Sequence, residues 1–147
     1  MGDPARFLAA FRAKPELKGD AHSILNVVAM AACFSPSGSS PYGFDLPMDL
    51  RTGERIEAVW DRWLAFDPVH VAEARVDALR SLELLHLEAG LRDEFHLQFG
   101  LRRLVRELER LRVPFRHEEH EGGHFGIDDR YLAVLPRVVD ALASPRA

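Results

Sequence analysis

The chain has 147 residues, a length typical of one domain, and its 47% hydrophobic and 29% charged residues are typical of a globular, soluble protein. The net charge of −4 gives no electrostatic reason to expect nucleic-acid binding. The single cysteine, Cys33, excludes an internal disulfide, and no apolar run approaches the roughly 20 residues that span a bilayer. Because the first residues lack a signal-peptide core, we expect a cytoplasmic protein. From the charge and the apolar runs, we expect it to bind neither nucleic acid nor membrane.

Residues 1 to about 80 are predicted to be helical. A short helix runs from Pro4 to about Lys14, and a second helix, capped by Asp20, continues through "HSILNVVAMAACF". The almost continuous apolar run from Ile24 to Phe34 predicts deep burial of this second helix. Cys33 belongs to that run, so we expect it to be a small core residue and not a nucleophile. Pro36 ends the helix.

A long loop and two further helices follow. The stretch "SPSGSSPYGFDLPMDLRTG" is rich in Gly, Pro and Ser, which predicts a loop of the kind that often serves as a lid or insertion. Helical spacing returns at Glu54, where Trp60 and Trp63 share an apolar stripe. We expect both rings to pack in a core, with the lining of an acyl or alcohol pocket as the alternative. Asp67 and Pro68 are predicted as the N-cap and first residue of the next helix.

From Leu82 onward the pattern changes to strand, helix, strand, helix. "LELLHLEAG" predicts a buried strand, and residues 97 to 111 form the clearest amphipathic helix. "VPFRHEEHE" predicts a second strand, whose charges favour an edge position. The last helix contains Pro136, which predicts a kink or a late start. Because a helical crossover joins parallel strands in a right-handed unit, we predict an α/β fold in one domain, 1–147, with the β-α-β-α unit at about 81–147.

Two polar side chains follow the ends of the predicted strands. Asp93 comes after the first strand and His124 after the second, and in parallel sheets reactive groups collect at these carboxyl ends. A hydrogen bond between them would be the orienting half of a Ser-His-Asp triad. The alternatives are a helix N-cap for Asp93 and a plain polar turn residue for His124. Glu88 and Glu94 compete with Asp93 for the role of the acid.

The segment "RHEEHEGGHFGID" holds three of the seven histidines, which raises the possibility of a metal site. His117 and His120 are three residues apart, whereas the zinc-protease motif needs histidines four apart on a helix. On a strand these two side chains would point to opposite faces. Gly122 and Gly123 disfavour a helix that would join His120 to His124. We therefore predict no metal site, and we expect His117 and His120 to be solvated decoration of an edge strand.

The segments "HLEAGLRDEF", the arginine-rich helix and "HEEHEGGHFGID" resemble the esterase family of α/β hydrolases, the group of esterase-D-like and enterochelin-esterase-like enzymes. In that family the acid follows the penultimate core strand and the histidine follows the last strand in a Gly-His turn. The resemblance implies that Asp93 is the acid and His124 the base, in the family's Ser-Asp-His order. It covers nearly the whole chain and implies the carboxyl-terminal part of an α/β-hydrolase fold, with the first 80 residues, mainly about 34–79, as an insertion or cap. It further implies a small-molecule ester as substrate and no cofactor.

The sequence departs from the family at the nucleophile. No serine lies in a G-x-S-x-G motif, and the loop that would form an oxyanion hole is missing as well. Ser39 and Ser40, in the long loop, are weak alternatives. We therefore expect a truncated or separately encoded carboxyl-terminal half that supplies acid and base and is nearly inactive alone. The alternative is a non-catalytic interaction protein. In either case we expect a homo-oligomer or a partner chain that holds the amino-terminal half.

Overall fold

The computed structural model describes residues 4–16 and 21–143, which divide into two compact units. The first unit spans Met1–Asp67 and the second Pro68–Ala147. The division therefore falls at the predicted helix start, where Pro68 is the first residue of a helix. Within the described ranges, no helix is both long enough and apolar enough to cross a membrane.

The first unit contains the three predicted helices, which are α1 (Pro4–Ala13), α2 (Ala21–Phe34) and α3 (Glu57–Leu64). The predicted cap Asp20 lies outside the described residues. Between α2 and α3 the chain forms the predicted loop. Two isolated antiparallel bridges, Pro36 with Phe44 and Met48 with Arg55, fold this loop back on itself.

The predicted deep burial of α2 is wrong. Only Val28 and Ala31 are buried in this helix, whereas Ile24 remains 38% exposed and Met30 40% exposed. Cys33 is exposed too, so it is not the core residue that the pattern indicated. An apolar run shows that a helix can be buried on every side, but a small unit has too little chain to cover more than one side.

The buried side of α2 belongs to a small core in which the predicted packing of Trp63 is confirmed. Trp63 packs against the cluster of Val28, Ala31 and Phe44. Its indole Nε1 donates a hydrogen bond to Ser35 Oγ at 2.8 Å, which satisfies a polar atom that would otherwise be buried unpaired.

The second unit begins with short helical segments and continues with the predicted β-α-β-α order. Its elements are α4 (Pro68–Val71), a 3-10 helix (Glu73–Arg75), α5 (Val76–Arg80), β1 (His86–Gly90), α6 (Leu97–Arg110), β2 (Arg116–His120) and α7 (Asp128–Ala143). Because α7 starts at Asp128, Pro136 lies inside it and does not delay its start.

The two strands form a parallel sheet, as predicted, with Glu88 opposite Glu118 in the register. Since side chains alternate along a strand, these two glutamates share one face, and Glu119 points to the other. Helix α6 packs against β1 and buries its Leu108 almost completely. The structure is thus a mixed helical protein with a small parallel sheet, which is compatible with the α/β class.

His117 and His120, which we expected to be solvated, are both partly buried, and the glutamates between them form ion pairs. Glu119 forms a two-point ion pair with Arg102 of α6, at 2.7 and 2.8 Å. On the opposite face, Glu118 pairs with Arg130 and Arg137 of α7. The charged strand therefore binds a helix on each of its faces.

Candidate functional site

Asp93 lies in the turn that connects β1 to α6, and its side chain is buried, with only 4% exposed. Its Oδ1 atom accepts the backbone N–H of Phe95 at 2.8 Å and that of Leu97, the first residue of α6, at 3.4 Å. The cap-like role that we left open for Asp93 is therefore present in the structure. It occupies one carboxylate oxygen and leaves the other for a second partner.

That second partner is His124. Its Nδ1 atom lies 3.0 Å from Asp93 Oδ2, while 38% of the imidazole remains exposed. Burial favours the neutral form of Asp93, but hydrogen bonds from the imidazole and from two backbone N–H groups outweigh it, and the pKa of Asp93 is lowered. An ionised carboxylate can only accept, so Nδ1 of His124 donates. The lone pair of the neutral imidazole is therefore on Nε2.

A close approach of two backbone turns brings this pair together. The N–H of Leu91 donates to His120 O at 2.8 Å, and the N–H of Arg92 donates to Gly122 O at 3.0 Å. A Cβ atom at Gly90 would lie 2.6 Å from the carbonyl oxygen of Gly123, so a side chain at position 90 would force the two turns apart. The glycine that ends β1 thus allows the contact between the two turns.

Of the three carboxylates considered for the acid, Asp93 is the one that hydrogen-bonds to the His124 ring. Glu94 binds the same histidine elsewhere, since its Oε2 atom accepts the backbone N–H of His124 at 2.7 Å. This hydrogen bond is the main reason that the pKa of Glu94 is lowered. Glu88 instead pairs with Arg130 and with His86, whose Nε2 is 3.2 Å from Glu88 Oε2.

The Asp93–His124 pair borders a cleft of about 360 Å³. One part of its lining is polar and includes His86, Glu88 and Arg130, and another part is apolar and includes Leu97, Ile127 and Val134. His120 also lines the cleft, and its Nδ1 atom accepts the N–H of Gly122 at 3.1 Å. His120 therefore closes the turn that presents His124, a role that its sequence position does not reveal.

The metal cluster that the three histidines first suggested is not formed by the described residues. The group of potential ligands that the structure does bring together is His86, Glu88 and Glu118, with ligand atoms within 4.8 Å of one another. Both glutamates are already paired with Arg130, and Glu118 also with Arg137. Guanidinium groups thus supply the positive charge at this cluster. The sequence pattern does not reveal this cluster, because its members come from β1 and β2 and the arginines paired with them come from α7.

Two phenylalanine rings pack against the imidazole of His124. The Phe95 and Phe125 rings meet the His124 ring edge to face, at centroid distances of 4.9 and 5.0 Å. Both phenylalanines are themselves partly exposed, Phe95 at 37% and Phe125 at 61%. The imidazole therefore packs against two apolar rings that also contact each other, which restricts its rotation and lowers the polarity around it.

The arrangement combines a buried, ionised acid with a partly exposed imidazole whose basic nitrogen is free to accept a proton. Such a pair can orient the imidazole and stabilise its charged form during proton transfer. No protein-family model matches the chain, and no curated protein matches it significantly either.

Proposed function

We propose that this chain supplies the acid and the base of ester hydrolysis by a Ser-His-Asp triad, in an α/β hydrolase of the esterase family that its sequence resembles. The observation that carries the proposal is the 3.0 Å contact between buried Asp93 and partly exposed His124. Both residues follow the carboxyl ends of adjacent parallel strands, where reactive groups of α/β folds collect.

In the proposed reaction, Nε2 of His124 takes the proton from a serine hydroxyl as its oxygen attacks the ester carbonyl. The tetrahedral intermediate collapses to an acyl-serine, and His124 returns the proton to the leaving alcohol. His124 next deprotonates a water molecule, whose oxygen attacks the acyl group, and the serine leaves with that proton as the carboxylic acid departs. Throughout, ionised Asp93 accepts the hydrogen bond from Nδ1 and stabilises the imidazolium.

The nucleophile of this reaction comes from outside the sequence described here. No serine of the chain lies in a G-x-S-x-G motif, and within the described part of the chain no serine or cysteine lines the cleft. In the long loop, Ser40 donates its hydroxyl to Phe44 O at 2.6 Å, and Ser39 hydrogen-bonds to Ser37. Neither of these hydrogen bonds joins a serine hydroxyl to a histidine or another basic side chain.

The test is reconstitution. The chain is assayed with p-nitrophenyl acetate alone and after mixing with a polypeptide that carries a G-x-S-x-G serine, taken from the coding sequence upstream. We expect negligible turnover by the chain alone, turnover on mixing, and loss of that turnover in His124→Ala and Asp93→Asn. Turnover on mixing that survives both substitutions would contradict the proposal, as would steady turnover by the chain alone that His124→Ala abolishes.

A second candidate function, a non-catalytic protein that pairs with itself or with another chain, is favoured by one specific observation. Helix α7 exposes large apolar side chains along one side: Tyr131, Leu132, Leu135, Val139 and Leu142, between 53% and 76% exposed. An apolar stripe of this kind marks an interaction surface. Sedimentation velocity over a wide concentration range tests the self-association, because a protein that stays monomeric throughout contradicts it.

A further inference from the structure

Two consecutive carboxylates hold one histidine at two different points. Asp93 binds the imidazole ring of His124, and Glu94 binds its backbone N–H at 2.7 Å. The turn that carries His124 contains Gly122 and Gly123, which have no side chains of their own to pack against the rest of the fold. Contacts from outside the turn therefore contribute to the position of the ring.

We propose that Glu94 is a positioning residue of the site: by anchoring the peptide of His124, it sets the approach of the imidazole to Asp93. The meaning of this anchor for catalysis rests on the proposed esterase function, whereas the anchor itself is a property of the turn and is measurable without activity.

A steric observation supports a close fit between Glu94 and the turn. A Cβ atom built at Gly123 would lie 2.7 Å from Oε1 of Glu94. Gly123 does not have a positive φ, so the backbone conformation at this position does not itself require glycine. The absence of a side chain at position 123 thus leaves the space that the Glu94 carboxylate fills beside His124.

The same turn offers a matched control. Glu121 lies three residues before His124 and also carries a carboxylate. Its side chain is 82% exposed and lies 3.7 Å from the guanidinium of Arg92. Removing Glu121 changes the charge near the site in the same sense as removing Glu94. It does not remove the hydrogen bond to the His124 peptide.

The experiment uses NMR spectroscopy of the whole chain labelled with ¹⁵N, and it needs no substrate. It measures the solvent exchange of the His124 amide proton and the downfield signal of the hydrogen-bonded Nδ1 proton. In Glu94→Ala we expect exchange about tenfold faster, as for loss of one hydrogen bond, and a weakened Nδ1 signal. Glu94→Gln retains an oxygen that accepts the same N–H and should preserve both signals, as should Glu121→Ala.

A second variant tests the inference with Glu94 still present. Gly123→Ala should displace the Glu94 carboxylate and give the same two changes, and Gly123→Ala combined with Glu94→Ala should be no worse than Glu94→Ala alone. If Glu94→Ala proves unfolded, the comparison of Gly123→Ala with wild type tests whether Glu94 positions the His124 ring.

The outcomes separate this inference from the proposed function. Unchanged His124 signals in folded Glu94→Ala and in Gly123→Ala, with loss of the Nδ1 signal in Asp93→Asn, would overturn the positioning role and leave the esterase proposal standing. Changed signals together with reconstituted turnover that is independent of His124 would leave the anchor standing and overturn the esterase function.

Discussion

Nδ1 of His124 lies 3.0 Å from Oδ2 of Asp93, although 31 positions separate the two residues in the sequence. The parallel pairing of β1 with β2 brings them together, because it places both strand ends, at Gly90 and His120, side by side. The contact thus depends on one strand–helix–strand unit and on the two turns that follow its strands.

Asp93→Ala should lower the free energy of unfolding by about 1–3 kcal/mol, because two backbone N–H groups at the start of α6 lose their acceptor. Asp93→Asn should cost less, since its amide oxygen can still accept from the N–H of Phe95. Urea denaturation of the two variants and the wild type measures the difference. Equal stability of Asp93→Ala and wild type would show that this carboxylate does not hold the helix start.

The stabilising effect of Asp93 should disappear in acid. The folded pKa of Asp93 is lowered, so it lies below the value of about 3.9 for the unfolded chain. The contribution of a group with a lowered pKa is fully present above the unfolded pKa and is lost as pH falls through the folded pKa. The difference in unfolding free energy between wild type and Asp93→Asn should therefore be retained above about pH 4 and shrink as the pH falls below that value. A difference that persists unchanged to pH 3 contradicts this.

Gly90→Ala should destabilise the fold by about 1–3 kcal/mol, because the new methyl group meets backbone carbonyls that cannot turn away. Gly100 in α6 is the control, since a Cβ atom there has no neighbour within 4 Å and Gly100→Ala should stabilise the helix by up to about 1 kcal/mol. Thermal unfolding followed by circular dichroism reports both changes. An unchanged or raised melting temperature in Gly90→Ala would argue against the close approach of the turns.

Leu132→Glu should reduce self-association, or association with a partner chain, without unfolding the protein. Leu132 is 76% exposed on the apolar side of α7, so a charge there costs little in the monomer and much in an apolar interface. Ala133→Glu adds the same charge at an exposed position about 100° further around the helix. Sedimentation velocity compares the two variants. A shift toward monomer in Ala133→Glu, with none in Leu132→Glu, would place any interface elsewhere.

The order of the second unit and the meeting of Asp93 with His124 could be predicted because both follow from local patterns. Hydrophobic spacing located β1, α6 and β2, and a helical crossover between strands implies parallel pairing. Parallel pairing in turn brings the two strand ends together. No side-chain detail was needed for that step, which is why a sequence pattern was sufficient.

The remaining features depend on distant partners. The charges of Glu118 and Glu119 were visible in the sequence, but the arginines that bind them lie on α7 and α6. The burial of α2 depends on how much of the chain packs around this helix. The apolar pattern of its sequence therefore predicted more burial than the structure has. The anchoring of the His124 peptide by Glu94 depends on the path of a glycine turn, which residue types alone do not define.

Asp93 and His124 differ in how strongly the fold itself constrains which side chain can occupy each position. Asp93 holds the start of α6 as well as the imidazole, so selection for folding alone would preserve it in a lineage that had lost catalysis. His124 is partly exposed, and its backbone N–H bond to Glu94 would survive replacement of its side chain. Retention of histidine at position 124 in homologous sequences would therefore support the proposed catalytic role, whereas retention of aspartate at position 93 would not.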